Sequence, residues 1–373
     1  MQRPAWAEIN LTALAFNMRE IRRITSPNAK IMAVVKANAY GHGIMGIAET
    51  VLHHGADMLG VATLGEAINL RERGFLVPIM IFGYTPFEHA RETVFYDLIQ
   101  TVYSLKAAQV LSEEGARQKK FAKIHVKVDT GMNRLGYLPG DDALKDIAHI
   151  ARLPYINMEG IFTHFAVADI ADKSYTNRQL DVFLDFVDRL KKQGLEFPMR
   201  HAANSAGIIE FPEAHLDLVR PGILMYGYYP SDEVDESKLE LIPVMTLKAK
   251  AALIKFIPPG ETISYGRKFT TTKATKVLTL PLGYADGIPR LLSGKIDVLI
   301  RGQRVPSVGT ICMDQFMVDV SDVDDINIGE EVVIFGRQNG HFIPADEIAA
   351  KMGTINYEIL CGISERIPRV YIK

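Results

Sequence analysis

MEGIFTHFAVADIADKSYTNRQLDVFLDFVDRLKKQGLEFPMRHA, residues 158–202, reads as a strand, a helix and a second strand. The apolar run MEGIFT (158–163) stops at a histidine, and FPMRHA (197–202) has the same character. Between them Leu180, Phe183, Leu184, Val187 and Leu190 recur three and four residues apart, which puts them on one face of a helix over 176–193. Strands joined by a helix pair in parallel, because the helix carries the chain back to the starting edge. The same alternation extends both ways, with candidate strands at 31–35 (IMAVV), 58–62 (MLGVA), 78–82 (PIMIF), 98–103 (LIQTVY), 122–128 (AKIHVKV) and 215–219 (HLDLV). A helix at 11–24, striped by Leu11, Leu14, Met18 and Ile21, leads in. Eight such units in about 220 residues predict an α/β fold, a (β/α)8 TIM barrel, with a doubly wound sheet as the rival.

Past the polar stretch SDEVDESKLE (231–240) the pattern changes to short alternating runs cut by Gly and Pro. TLKAKAALIKF (246–256), KVLTLPL (276–282), IDVLIRG (296–302), QFMVDVSD (315–322) and EVVIFG (331–336) predict a mainly-β C-terminal domain, with one helix at 345–352. The expected division is a barrel over 1–240 and a β domain over 241–373.

With 373 residues, 48% hydrophobic, 23% charged and a net charge of −2, the chain is an ordinary globular protein. No basic stripe points to nucleic acid, and no apolar run approaches a membrane span. MQRPAWAEIN carries no signal-peptide core, and Cys312 and Cys361 match no metal spacing, so a cytoplasmic, metal-free protein is expected.

Lys36 ends a strand in AVVKANAYGHG (33–43), at the edge where a barrel sets its catalytic groups; glycines and Tyr40 follow at once. An amine there suits a carbonyl cofactor, although lysines at strand ends are usually just solvated. Gly41, Gly43 and Gly46 imitate a dinucleotide fingerprint, but the first glycine stands too far from Val35, and GVAT brings no acid for a ribose. Asp129-Thr-Gly131 imitates half an aspartic-protease site without the second carboxylate. The loops after strands 7 and 8, where barrels bind phosphate, hold HAANSAG (201–207) and RPGI (220–223). Ser205 offers a hydroxyl, Gly222 and Ile223 offer backbone N–H groups, and Arg220 is a cation between an apolar strand and a turn. The bland readings are an N-cap for Ser205 and a turn for Gly222. His125, Lys127 and Asp129 share one face of their strand, Arg134 follows close by, and His164 ends the next strand. The β region places Tyr265, Met313 and Tyr357 in SYG, GTICMDQ and INYE, where packing is the default reading.

Taken in order, AVVKANAYGHG, KVDTGMNRLG, THFA, HAANSA, RPGI, SYG, GYADG, GTICMDQ and INYE resemble the alanine racemase family, from residue 33 to 358. The resemblance implies a barrel followed by a β domain and pyridoxal 5'-phosphate as cofactor. Lys36 would bond the cofactor and act as base for one enantiomer. Tyr265, from a partner subunit of a homodimer, would be the base for the other. Tyr40, Ser205, Gly222, Ile223 and Tyr357 would hold the phosphate, Tyr357 again from the partner. Arg220 would face the pyridine nitrogen, with His164 linked to it; Arg134 and Met313 would contact the substrate. Lys127 matches a lysine that is often carbamylated. Asn133 stands where many relatives have glycine, so a local change in loop freedom is expected. The implied role is L- to D-alanine conversion for cell-wall peptidoglycan. The alternatives are a serine or broad-specificity racemase, or a pyridoxal-phosphate homeostasis protein, which lacks a β domain.

Overall fold

The computed structural model describes residues 4–373. Contacts divide it into two compact units: Leu14–Ala39 with Ile44–Ile242, and the segment through Ala13 with Tyr40–Gly43 and Pro243–Lys373. Counting strands from the N-terminus, β1 is Ala5–Asn10. The first unit then holds β2 (Lys30–Val34), β3 (Met58–Val61), β4 (Ile79–Ile81), β5 (Ile99–Val102), β6 (Ala122–Lys127), β7 (Ile156–Phe162), β8 (Met199–His201) and β9 (Leu218–Val219). All eight expected strands are there, and they form one parallel sheet in the order β8-β7-β6-β5-β4-β3-β2-β9. Its two ends meet: Asp217 N–H donates to the Arg200 carbonyl and Arg220 N–H to that of Ala203, both at 3.1 Å. A doubly wound sheet would leave those edges apart, so the barrel reading holds.

Inside the barrel, Met32, Met58, Met80, Ile99, Phe162 and Leu218 pack together. Three flexible thioethers fill a space whose shape changes from layer to layer. On the outside, Ile124, Val126 and Val128 of the β6 segment pack against Leu144, Ile147, Phe183 and Phe186 of the helical layer. That leaves His125 and Lys127, which share the opposite face by alternation, to face inward. The striped helix runs Ser174–Lys192; Leu180, Phe183 and Leu190 are buried, while Leu184 lies at its exposed border.

The second unit contains β10 (Met245–Lys250), β11 (Leu253–Ile257), β12 (Thr262–Ile263), β13 (Phe269–Thr270), β14 (Thr275–Leu280), β15 (Asp297–Ile300), β16 (Gln303–Val308), β17 (Phe316–Asp319), β18 (Glu331–Gln338), β19 (His341–Ile343) and β20 (Arg369–Ile372). The main sheet runs β11-β14-β17-β16-β15-β18-β10-β1-β20. The expected single run 246–256 is two strands. Ala251 N–H still bonds the Glu330 carbonyl near β18, while Ala252 N–H already bonds Thr279 in β14, so the chain changes neighbours between them. The expected boundary at 240 also needs correcting at the N-terminus. AWAEIN, β1, pairs antiparallel with β10 and parallel with β20, so the first strand belongs to the C-terminal unit. Its buried face is Ala5, Ala7 and Ile9, too small and short a pattern to reveal its partners from sequence. No helix among the described residues is long and apolar enough to cross a membrane.

Candidate active site

Lys36 follows β2 and opens an unusual backbone. Ala37, Asn38, Ala39 and Tyr40 have φ of 52°, 52°, 54° and 51°, four consecutive non-glycine residues in the left-handed region. Each costs roughly 1–2 kcal/mol, so the turn persists only because its surroundings fix it. Glu66 accepts from Ala37 N–H at 2.6 Å, and the Asn38 side chain accepts from Ile44 N–H at 2.8 Å. Glu66 also accepts from Ala62 and Thr63, so one carboxylate ties the turn to the end of β3. The half-buried Lys36 is thereby presented by a turn that is rigid on both sides.

Across the C-terminal ends of the strands runs a buried chain of rings. His125 Nδ1 lies 2.9 Å from His201 Nε2, and His201 Nδ1 lies 2.7 Å from an Arg220 nitrogen. The other terminal nitrogen of Arg220 donates to the carbonyls of Thr163 and Ala202, both at 2.8 Å, and lies 3.3 Å from His164 Nδ1. A guanidinium only donates, so His201 Nδ1 must accept, whereas the nitrogen near His164 already gives its two hydrogens to the carbonyls. His201 then carries its proton on Nε2 and gives it to His125 Nδ1, leaving His125 protonated on Nε2. The direction of every bond follows from the arginine.

Burial draws the pKa of Arg220 down to about 9, still a cation at neutral pH, and its partners are imidazoles and carbonyls with no carboxylate among them. Burial first, and the Arg220 charge second, lower His125 to about 3. Burial likewise holds His164 and His201 well below the usual histidine value, assisted by Lys127 and Arg220. All three rings are neutral in the fold, whereas an unfolded chain protonates them near 6.5. The unfolded state therefore binds more protons below that pH, and stability present above it is lost as pH falls toward 3. The melting temperature should drop across this window, and His125→Phe should make the drop shallower by about one proton. Thermal melts at stepped pH check this; equal slopes would show that His125 is charged in the fold. Gly160 guards the same ring, since a Cβ there would stand 2.7 Å from it.

Lys127 is buried with its ammonium position 4.4 Å from the centre of the Phe162 ring. Burial, then the charges of Arg220 and Arg134, push its pKa well down, and Asp129 only partly opposes them. Asp129 has another task. Its carboxylate accepts N–H bonds from Gly131, Asn133 and Arg134 at 3.0–3.1 Å. Burial works against its charge, but those bonds outweigh burial and hold it below the usual carboxylate range. The protease-like tripeptide is thus a turn cap. Asn133 has φ 54°, which asparagine tolerates and glycine would take freely; the exposed Arg134 follows it.

Ser205 is not the N-cap of its short helix. Asn204 is, accepting from Gly207 N–H at 2.9 Å, and this leaves the buried Ser205 hydroxyl to accept from Gly222 N–H, also at 2.9 Å. Gly222 therefore joins the two loops rather than standing open. Ile223 begins a 3-10 turn, where a first N–H has no acceptor within its own helix.

In the second unit, Tyr40 is buried with its ring centre 6.0 Å from that of Tyr357. Burial raises its phenol pKa. Gly41 lies against the end of the Asn356–Cys361 helix, where a Cβ would meet the Leu360 carbonyl oxygen at 2.2 Å, and its φ of 81° suits glycine alone. Arg369 holds it by donating to its carbonyl at 2.8 Å. This corrects the expectation that Tyr357 comes from a partner: it reaches Tyr40 within its own chain. Tyr265 stands 69% exposed and Met313 53% exposed. Both sit on braced loops: the Ser264 hydroxyl donates to the Thr310 carbonyl at 2.6 Å, the Thr310 hydroxyl to that of Tyr265 at 2.7 Å, and Ala285 N–H to that of Met313 at 3.0 Å. Tyr284, singled out by no chemical argument from sequence, is exposed beside them on the same bracing. His201 and Glu66 were missed as well. The signal for His201 was a second histidine closing a strand; Glu66 gave none. No cluster of potential metal ligands occurs among the described residues.

A closed barrel with a lysine at the end of β2, followed by a separate β unit, defines the pyridoxal-phosphate-dependent isomerases built on this two-domain plan. The alanine racemase N-terminal domain matches residues 9–230 and the C-terminal domain residues 244–371. The chain belongs to the alanine racemase family. It is 50% identical to the alanine racemase of Clostridium novyi, covering 100% of this chain and 96% of that one. It is 47% identical to that of Methanococcus maripaludis, covering 99% of both. Among solved structures, alanine racemase of Clostridium difficile 630 superposes with a TM-score of 0.96 at 43% identity, covering 99% of this chain and 96% of the other. That of Bacillus anthracis, solved with bound L-Ala-P, gives 0.95 at 36% identity, covering 100% and 96%.

Proposed function

We propose that the protein interconverts L- and D-alanine with two bases, Lys36 and Tyr265 of the partner subunit, in a cytoplasmic homodimer that supplies D-alanine for peptidoglycan. The observation carrying this reading is Arg220, a buried cation whose partners are all neutral. Its environment fits a pyridine nitrogen that must stay unprotonated, because a guanidinium does not hand over its proton. Decarboxylases want an acid at that position, to deepen the electron sink.

Pyridoxal phosphate, when bound, supplies a carbonyl for the substrate amine and a conjugated ring that spreads the electron pair left at Cα. Lys36 is the amine that holds this carbonyl between turnovers. Ser205, Ile223, Tyr40 and Tyr357 are the donors suited to its phosphate; Gly222 gives its N–H to the Ser205 hydroxyl, which leaves that hydroxyl's own proton to be donated. Arg134 takes the substrate carboxylate, and Met313 of the partner subunit borders the substrate. One base removes the α-proton as the C–H bond breaks, and the other base delivers a proton to the opposite face. Tyrosine titrates near 10 when unperturbed, so Tyr265 needs a donor or cation beside it. His164, neutral and beside Arg220, is the group suited to orient it.

Lys127 completes the site by reacting with carbon dioxide. The neutral amine attacks the carbon and releases one proton, giving a carbamate anion among the charges of Arg134 and Arg220. Charged hydrogen bonds contribute about 1.5–3 kcal/mol, so Lys127→Ala should lower kcat/KM roughly 10- to 150-fold. Protein equilibrated with 13C-labelled bicarbonate should show a carbamate resonance that disappears in this variant. An unlabelled wild-type protein with an unchanged variant would remove the carbamate from the scheme. For the function itself, purified protein is incubated with single L-amino acids and the enantiomers are resolved. D-Alanine should form fastest; faster production of D-serine would assign the serine or broad-specificity alternative instead.

A further inference from the structure

We propose that the first unit carries a second ligand site, outside the barrel, for a neutral single-ring molecule bearing one O–H or N–H donor. A cavity of about 140 Å³ lies between the outer face of β5 and the helices Ala90–Phe95 and Leu105–Gln118. Gln100 turns outward while Ile99 of the same strand turns into the barrel interior, and none of Lys36, Lys127, Ser205 and Arg220 is among the lining residues. A cavity of roughly 150 Å³ has room for one benzene-sized ring. No charged side chain lines this one, so a charged ligand would lose its hydration without recompense.

The polar atoms define what the ring must carry. Gln100 is 6% exposed, and its amide nitrogen donates to the carbonyls of Gly83 and Thr101, both at 3.1 Å. Flipping the amide would set oxygen against two carbonyl oxygens, so its orientation is fixed. Gln100 Oε1 is then a buried acceptor without a partner, and the Thr85 hydroxyl, also lining the cavity, has none either. A buried unpaired acceptor is costly, and a ligand donor would relieve it. Tyr84 and Phe87, 60% and 41% exposed with ring centres 6.5 Å apart, stand among the lining residues as aromatic walls open to solvent.

Phenol is the probe, and toluene is the control of the same size without a donor. Saturation-transfer NMR on the intact enzyme should give saturable phenol binding, tighter than toluene. Gln100→Met keeps the volume and removes the acceptor, and should weaken phenol roughly three- to tenfold without weakening toluene. Ala107→Phe fills the cavity and should abolish binding of both; circular dichroism verifies its fold, and a phenol-soaked wild-type crystal locates the ring if that variant does not fold. No saturable phenol binding, toluene binding as tight as phenol, or phenol binding unaltered by Gln100→Met would each overturn the proposal.

Discussion

Lys36→Ala should abolish racemisation, lowering kcat by roughly 10⁴-fold or more, because it removes both the amine that holds the cofactor and one of the two bases. The fold should survive: Lys36 is half-buried, and the left-handed turn begins at the next residue, held by Glu66 and Asn38 rather than by the lysine. Tyr265→Phe should cost roughly 10²- to 10⁴-fold, the range of a single positioned base. Its signature is a difference between directions. Each enantiomer presents its α-hydrogen to one face, so the phenylalanine variant should lose solvent exchange from one enantiomer far more than from the other. Deuterium washout from L- and D-alanine labelled at Cα reads this out. Equal retention of exchange from both enantiomers would leave Lys36 as the only base and end the two-base scheme.

How far the sequence announces this site depends on the range of the interactions involved. The barrel was legible because each βα unit carries its own period, and eight in succession admit few topologies. Alternation put Lys127 and His125 on one face of their strand, and the packing of Ile124, Val126 and Val128 on the helical side makes that face the inner one. What stayed hidden depends on contacts between distant residues. β1 looks like the start of the barrel, yet its hydrogen bonds go to residues 245–249 and 369–372. The left-handed turn after Lys36 is made by Ala-Asn-Ala-Tyr, a sequence without local preference for positive φ apart from its asparagine, and it is imposed by Glu66, 29 residues away from Ala37. Ser205 was open to two readings because Asn204 and Ser205 are both good caps; only geometry shows that Asn204 takes the role. Tyr357 illustrates the reverse error. Family resemblance assigned it to a partner, while Gly41 and Arg369 hold residue 40 beside it in the same chain.

Activity should belong to the dimer alone, and mixed dimers give the sharpest measure of it. Tyr265 and Met313 are large apolar-bodied side chains, 69% and 53% exposed in the single chain, yet their loops are braced by short hydrogen bonds. Fixing such groups in an exposed position costs conformational entropy, and a surface that covers them is the expected compensation. In the proposed homodimer two-fold symmetry would supply one, each chain lending its Tyr265 loop to the site built around the Lys36 of the other. Take an inactive Lys36→Ala chain and an inactive Tyr265→Ala chain, and let their subunits exchange. Random pairing makes about half of all dimers mixed. In each mixed dimer one site inherits both defects, while the other has an intact Lys36 from one chain and an intact Tyr265 from its partner. Activity should therefore return from near zero to roughly a quarter of the wild-type value. Native mass spectrometry counts the mixed species independently of catalysis. If they form and no activity returns, the two residues act within one chain and the shared site is wrong; recovery in proportion to the mixed fraction requires Tyr265 to work across the interface.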